Sequence, residues 1–279
     1  MVGNAPGYTH RMVSRTVSTV RLRGHTLRIH SSPGPAGSTE PPFVLIHGIG
    51  MSHRYLDRLH EELTATTDTY AVDLPGFGPN PSPGPTLSVE DYAAVLLDLL
   101  AEAQVAPCIL VGHSMGAQIA TAAALRDPRR VAGVVLIGPV VDRRRRSVWR
   151  QAAALGHDSL RELPSANFIV LTDYLRTGLR WYLKTVRPMM EYRLEAALPA
   201  MQCPVLVMRG SRDPVAREPW CRELAEAAPD GSFTEIPGQP HVAQQGAPEA
   251  VAEAIRVFLS GHRSGVGDSL GPESGHPTS

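Results

Sequence analysis

The chain has 279 residues, 43% of them hydrophobic and 19% charged, a composition that excludes a disordered or fibrous protein and leaves room for a large buried core. Its 27 basic residues balance 27 acidic ones, and an isoelectric point of about 7.2 provides no field to draw in nucleic acid or an anionic membrane. Cys108, Cys203 and Cys221 are odd in number and scattered, so the pattern excludes a zinc site or a disulfide framework and fits a reducing compartment.

In chain order, the first 20 residues are polar and broken by Gly3, Pro6 and Gly7, without the apolar block of a signal peptide. No later run reaches the roughly 18 apolar residues of a membrane span, which points to a cytoplasmic protein with a flexible N-terminal segment over 1–16. From 17 to 260, short apolar runs alternate with helical patterns, and that alternation predicts a mostly parallel sheet flanked by helices. Strands are predicted at 18–23 and 26–31, a hairpin turning at Gly24, then at 43–47, 69–73, 108–112, 133–137, 204–209 and 232–236. Helical spacing covers 55–65, 88–104, 114–126, 215–228 and 248–259, with Ser88 and Asp91 placed to cap the second of these.

The alternation breaks over 142–200, where helical patterns follow one another without a strand. An inserted helical cap is expected there, between core segments 17–141 and 201–260. Its apolar residues, including Leu155, Phe168, Ile169, Leu171, Tyr174, Trp181, Tyr182 and Met189, can pack on the core or line a substrate cavity. The polar stretch 261–279 reads as a disordered tail.

The chemistry centres on Gly112-His113-Ser114-Met115-Gly116, between the apolar strand at 108–111 and a helix of small residues. Three fixed positions alone are a weak signal; strand, motif and helix together are a strong one. A serine on so sharp a turn takes strained dihedrals, and glycine is needed on either side for the strand and helix backbones to approach. The bland alternative is a tight turn with an inert serine.

With this elbow, the loop His47-Gly48-Ile49-Gly50 and the loop Asp73-Leu74-Pro75-Gly76-Phe77-Gly78, the chain resembles the α/β-hydrolase superfamily over most of 17–260. The resemblance implies an eight-stranded, mostly parallel sheet with a cap inserted after strand six. It also implies the order nucleophile, acid, base, which falls on Ser114, on Asp213 after strand seven and on His241 after strand eight. Oxyanion donors are implied at the backbone N–H groups of Ile49 and Met115. Asp213 can alternatively cap the helix near Val215, and Asp142 after strand six competes for the acid role. Arg143 to Arg146 read either as a solvated loop or as an attractor for a carboxylate-bearing substrate.

A serine nucleophile excludes the carboxylate-dependent dehalogenases and epoxide hydrolases of the superfamily. The expected activity is hydrolysis of a carboxylic ester, lactone or thioester of a small to medium, largely apolar substrate, with no metal or organic cofactor. The alternatives are carbon–carbon bond hydrolysis of a diketone-type substrate, a biosynthetic cyclase or lyase, or a ligand-binding receptor on the same framework.

Overall fold

The computed structural model describes residues 14–145, 172–173 and 178–267. Eight strands form one sheet: β1 (Thr16–Leu22), β2 (His25–Ser32), β3 (Phe43–Ile46), β4 (Thr69–Asp73), β5 (Cys108–His113), β6 (Val131–Ile137), β7 (Val205–Gly210) and β8 (Gly231–Ile236), in the order β1-β2-β4-β3-β5-β6-β7-β8. β2 runs antiparallel to β1 and β4, and the other neighbours are parallel, as the alternation of strand and helix predicted. The β1–β2 hairpin turns on Arg23 and Gly24 at φ 51° and 79°, the left-handed pair a two-residue loop needs.

Helices α1 (Asp57–Thr64), α2 (Val89–Glu102), α3 (Met115–Arg126), α4 (Leu179–Glu191), α5 (Leu194–Ala197), α6 (Glu218–Ala227), α7 (Ala243–Gly246) and α8 (Pro248–Gly267) fill the connections. The central strands are buried on both faces, so alternate residues feed two cores. Val44, Leu110, Val134 and Val207 meet α2, α3 and α6 on one side. Leu45, Val111, Val135 and Met208 meet α1 and α8 on the other. Ser88 caps α2 by accepting from Asp91 N–H while Asp91 accepts from Ser88 N–H, the reciprocal arrangement predicted from the sequence.

Two boundaries differ from expectation by more than two residues. α6 starts at Glu218 rather than 215, because Arg217 before it is extended at φ −71°, ψ 151° and the Ala216 carbonyl accepts from Arg209 instead of from a helical N–H. The last helix runs past 260 to Gly267, with the His262 ring bonded to the Phe258 carbonyl and to Asp230, so 261–267, expected to belong to a disordered tail, are helical. Residues 1–13 and 268–279 lie outside the described residues.

Between β6 and β7 the described residues contain helices and no strand. α4 buries Trp181, Val186 and Met189, and Gln118 Nε2 of α3 donates to the Met189 carbonyl at 3.0 Å. The Trp181 indole packs so closely on Gly76 that a Cβ there would stand 2.2 Å from its Nε1. Leu155, Phe168, Ile169, Leu171 and Tyr174 lie outside the described residues.

Candidate active site

Ser114 stands between β5 and α3 at φ 56°, ψ −117°, a conformation costing an L-residue about 1–3 kcal/mol. Its N–H donates to the Ile137 carbonyl at 2.9 Å. The flanking glycines are there for space: a Cβ at Gly112 would lie 2.2 Å from Gly116 O, and one at Gly116 would lie 2.2 Å from Ile46 O. Strand, helix and β3 can therefore converge under the serine only without side chains at those two positions.

His241 follows β8, and its ring lies on Gly138, where a Cβ would stand 2.9 Å from Cε1 and 3.0 Å from Nδ1. Gly138 is the residue after Ile137, whose carbonyl holds Ser114, so serine and imidazole are seated on consecutive residues at the end of β6. His241 Nδ1 lies 2.8 Å from Asp213 Oδ2. A carboxylate only accepts, so Nδ1 carries the hydrogen and Nε2 presents its lone pair. Ser114, Asp213 and His241 are all buried.

The Asp213 carboxylate is used twice: one oxygen bonds the imidazole, and the other holds Val215 N–H at 2.7 Å and Ala216 N–H at 2.9 Å in the turn before α6, whose own N-cap is Arg217 and not Asp213. Asp142 is buried too, but its carboxylate is taken up by the Arg217 guanidinium and by Arg144 N–H at 2.9 Å. Arg143 and Arg144 both pair with Glu223 of α6, which ties the start of the insertion to the core. The Arg145 side chain and Arg146 lie outside the described residues.

The His47–Gly50 loop borders the serine, since a Cβ at Gly48 would lie 3.0 Å from Ser114 Cβ. His47 fixes this loop: its Nδ1–H donates to Gly48 O at 2.8 Å, and its Nε2 accepts from Leu74 N–H at 3.1 Å. Burial pushes the His47 pKa down, which keeps it in this neutral form. Ile49 follows in the same loop. Met115 is the first residue of α3, where an N–H has no intrahelical acceptor.

Sequence reasoning missed Arg209. Its Nε–H donates to Ala216 O at 2.7 Å, Nη2–H to Asp213 O at 3.1 Å and Ser211 O at 3.3 Å, and Nη1 pairs with Glu235. The signal was a charge ending the apolar run 205–208, where a buried cation needs partners. It also missed Ser52 and Arg54, which both bind Asp173 of the insertion; Asp173 is fully buried.

The ligating atoms of His30, His53 and Asp73 lie within 4.8 Å of one another. The two rings stack, with centroids 3.5 Å and planes 20° apart. His30 and His53 both lie 2.9 Å from Asp73 Oδ2 as hydrogen-bond donors. Burial alone would raise the Asp73 pKa; these bonds override it and hold the carboxyl well below the usual range.

The alpha/beta hydrolase family matches residues 43–254. The chain is 30% identical over 226 residues to a pimeloyl-[acyl-carrier protein] methyl ester esterase of Chromobacterium violaceum, covering 72% of this chain and 87% of that protein. It is 24% identical over 237 residues to an (E)-2-((N-methylformamido)methylene)succinate hydrolase of Acinetobacter baylyi, covering 78% of this chain and 90% of that one. The enol-lactonase of Burkholderia xenovorans superposes with a TM-score of 0.75 at 20% identity, over 87% of this chain and all (100%) of its own, a likeness of fold. With its eight-stranded sheet, its serine elbow and a family match over three quarters of its length, the chain belongs to the alpha/beta hydrolase family and is a hydrolase.

Proposed function

We propose that the chain is a serine hydrolase that cleaves a carboxylic ester, lactone or thioester of a small to medium, largely apolar substrate through an acyl-enzyme. The observation that carries this reading is the His241–Asp213 hydrogen bond of 2.8 Å, made by an imidazole seated on the residue next to the one that holds Ser114. A serine hydroxyl is a weak nucleophile at neutral pH and needs such an oriented base.

In the first half-reaction Ser114 Oγ bonds to the substrate carbonyl carbon as its proton passes to His241 Nε2. Asp213 holds the tautomer and stabilises the imidazolium. The carbonyl oxygen becomes an oxyanion facing the N–H groups of Ile49 and Met115, each worth roughly 3 kcal/mol in the transition state. The bond to the leaving alcohol then breaks, and that alcohol takes the proton from Nε2. Water repeats the sequence on the acyl-enzyme, releases the acid and restores Ser114.

An acyl-carrier-protein methyl ester esterase among the relatives supports ester chemistry. The test is a panel of short p-nitrophenyl esters, lactones, thioesters and β-diketones with wild type and Ser114→Ala, alongside labelling by a fluorophosphonate. Turnover of esters, and a label on Ser114, both lost in the variant, are expected. A folded wild type without turnover or label would favour a binding protein, and preferential cleavage of β-diketones would move the reaction to carbon–carbon bonds.

A further inference from the structure

His113, the residue before the serine, is buried and takes part in a chain of hydrogen bonds that crosses the site. Gly48 N–H, in the loop that also carries Ile49, donates to Tyr55 Oη at 3.1 Å. Tyr55 Oη in turn bonds to His113 Nδ1. His113 Nε2 lies 3.1 Å from the main-chain carbonyl of His241.

The two ends fix the direction of the outer bonds. A backbone N–H can only donate, so the Tyr55 oxygen accepts from Gly48. A carbonyl can only accept, so His113 Nε2 carries a hydrogen. In a neutral ring that leaves Nδ1 bare, and the Tyr55 hydroxyl donates to it. Burial first, and the neighbouring His241 second, push its pKa well below the ordinary value, so it stays neutral while His241 gains and loses a proton. The rings reinforce the path: Tyr55 meets His113 edge-on at 5.2 Å, and His113 lies 4.7 Å from His241.

We infer that Tyr55 and His113 are positioning residues that set the spacing between the loop presenting the Ile49 N–H and the residue presenting the general-base imidazole. Gly48 N–H is committed to Tyr55, which orients the loop so that the following N–H is the one offered to an oxyanion. The inference rests on the roles of His241 and Ile49 proposed above. Neither Tyr55 nor His113 touches the reacting atoms in this scheme.

The test compares wild type, Tyr55→Phe and His113→Asn on a short p-nitrophenyl ester, with rates expressed per site titrated by a fluorophosphonate. Tyr55→Phe removes the central hydroxyl; His113→Asn keeps an acceptor for Tyr55 and loses the donor to His241. Both should lower kcat per titrated site by about 10- to 100-fold, with KM within about twofold, since small displacements of a reacting group have effects of that order. A merely structural role would lower the yield of active sites and leave kcat per site unchanged. Imidazole nitrogen spectra give a second reading: wild-type His113 should appear as the neutral Nε2–H form from pH 5 to 8, with the Nδ1 resonance moved in Tyr55→Phe. Active wild type with unchanged kcat per site in both variants, or a His113 ring that carries hydrogen on Nδ1, overturns this inference alone. A wild type that neither cleaves the ester nor takes the label overturns the hydrolase reading and this inference with it.

Discussion

Nη2 of Arg209 donates to the main-chain carbonyls of Asp213 at 3.1 Å and Ser211 at 3.3 Å, while its Nε–H donates to the Ala216 carbonyl at 2.7 Å. The cation thus shapes the turn that aims the Asp213 carboxylate at His241. Arg209→Met should leave these three carbonyls short of donors, at a cost of about 2–3 kcal/mol in stability. It should also lower kcat more than it raises KM, because the acid moves and the substrate contacts do not. Urea unfolding alongside ester kinetics checks both; a variant with lower stability and normal kcat would confine Arg209 to folding.

Asp213 and Asp142 are both buried carboxylates in segments that follow strands, but Asp213 bonds to the His241 ring, whereas Asp142 is held by Arg217. Asp213→Asn keeps the shape and presents the wrong tautomer partner, so kcat should fall by about 10⁴-fold. Asp142→Asn should leave kcat within a few-fold and weaken the anchorage to Arg217. Loss of turnover in Asp142→Asn with Asp213→Asn active would reverse the assignment.

What the sequence made legible was local. The demand for glycine at 112 and 116 follows from the turn itself, and the continuous apolar runs of β3 to β7 mark strands because these are buried on two faces. Asp213 and His241 are singled out by the family resemblance, which expects an acid after strand seven and a base after strand eight. What it hid depends on pairs distant in the chain. Tyr55 and His113 are 58 positions apart, and nothing in either segment announces the bond between them. The start of α6 at Glu218 is hidden for a related reason: Arg209 of β7 takes the Ala216 carbonyl that a helix beginning at 215 would use for its own bonds.

Three glycines should respond to alanine in different ways. At Gly112 and Gly116 the added carbon would meet backbone oxygen at 2.2 Å, and backbone on both sides is fixed, so neither variant should yield folded protein. At Gly48 the contact is with Ser114 Cβ at 3.0 Å, tight but at the rim of the site. Gly48→Ala should fold, melt within a few degrees of wild type, and lose most of its kcat as the loop is pushed off the serine. Soluble expression and thermal melts separate the two classes. A folded Gly116→Ala would mean that the elbow has slack the geometry does not show.

Acid should destabilise the fold through its buried histidines before its carboxylates are involved. His60 is buried beside Ser32, 2.9 Å from its hydroxyl, and burial first, then the Arg15, His30 and His53 charges, push its pKa down to about 3 from 6.5. His47 and His113 are shifted the same way, chiefly by burial. Between the folded and unfolded values the unfolded chain binds more protons, so stability is fully present above about pH 6.5 and declines as pH falls, by about 1.4 kcal/mol per unit for each such histidine. The Asp73 carboxyl, also shifted down, adds to the loss only as pH falls through its unfolded value of 3.8. The midpoint of urea unfolding should therefore drop between pH 7 and pH 5. His60→Gln, which keeps a donor toward Ser32 and cannot take a proton, should flatten that slope by one histidine's share. An unchanged slope in the variant would mean that His60 carries its proton in the folded protein.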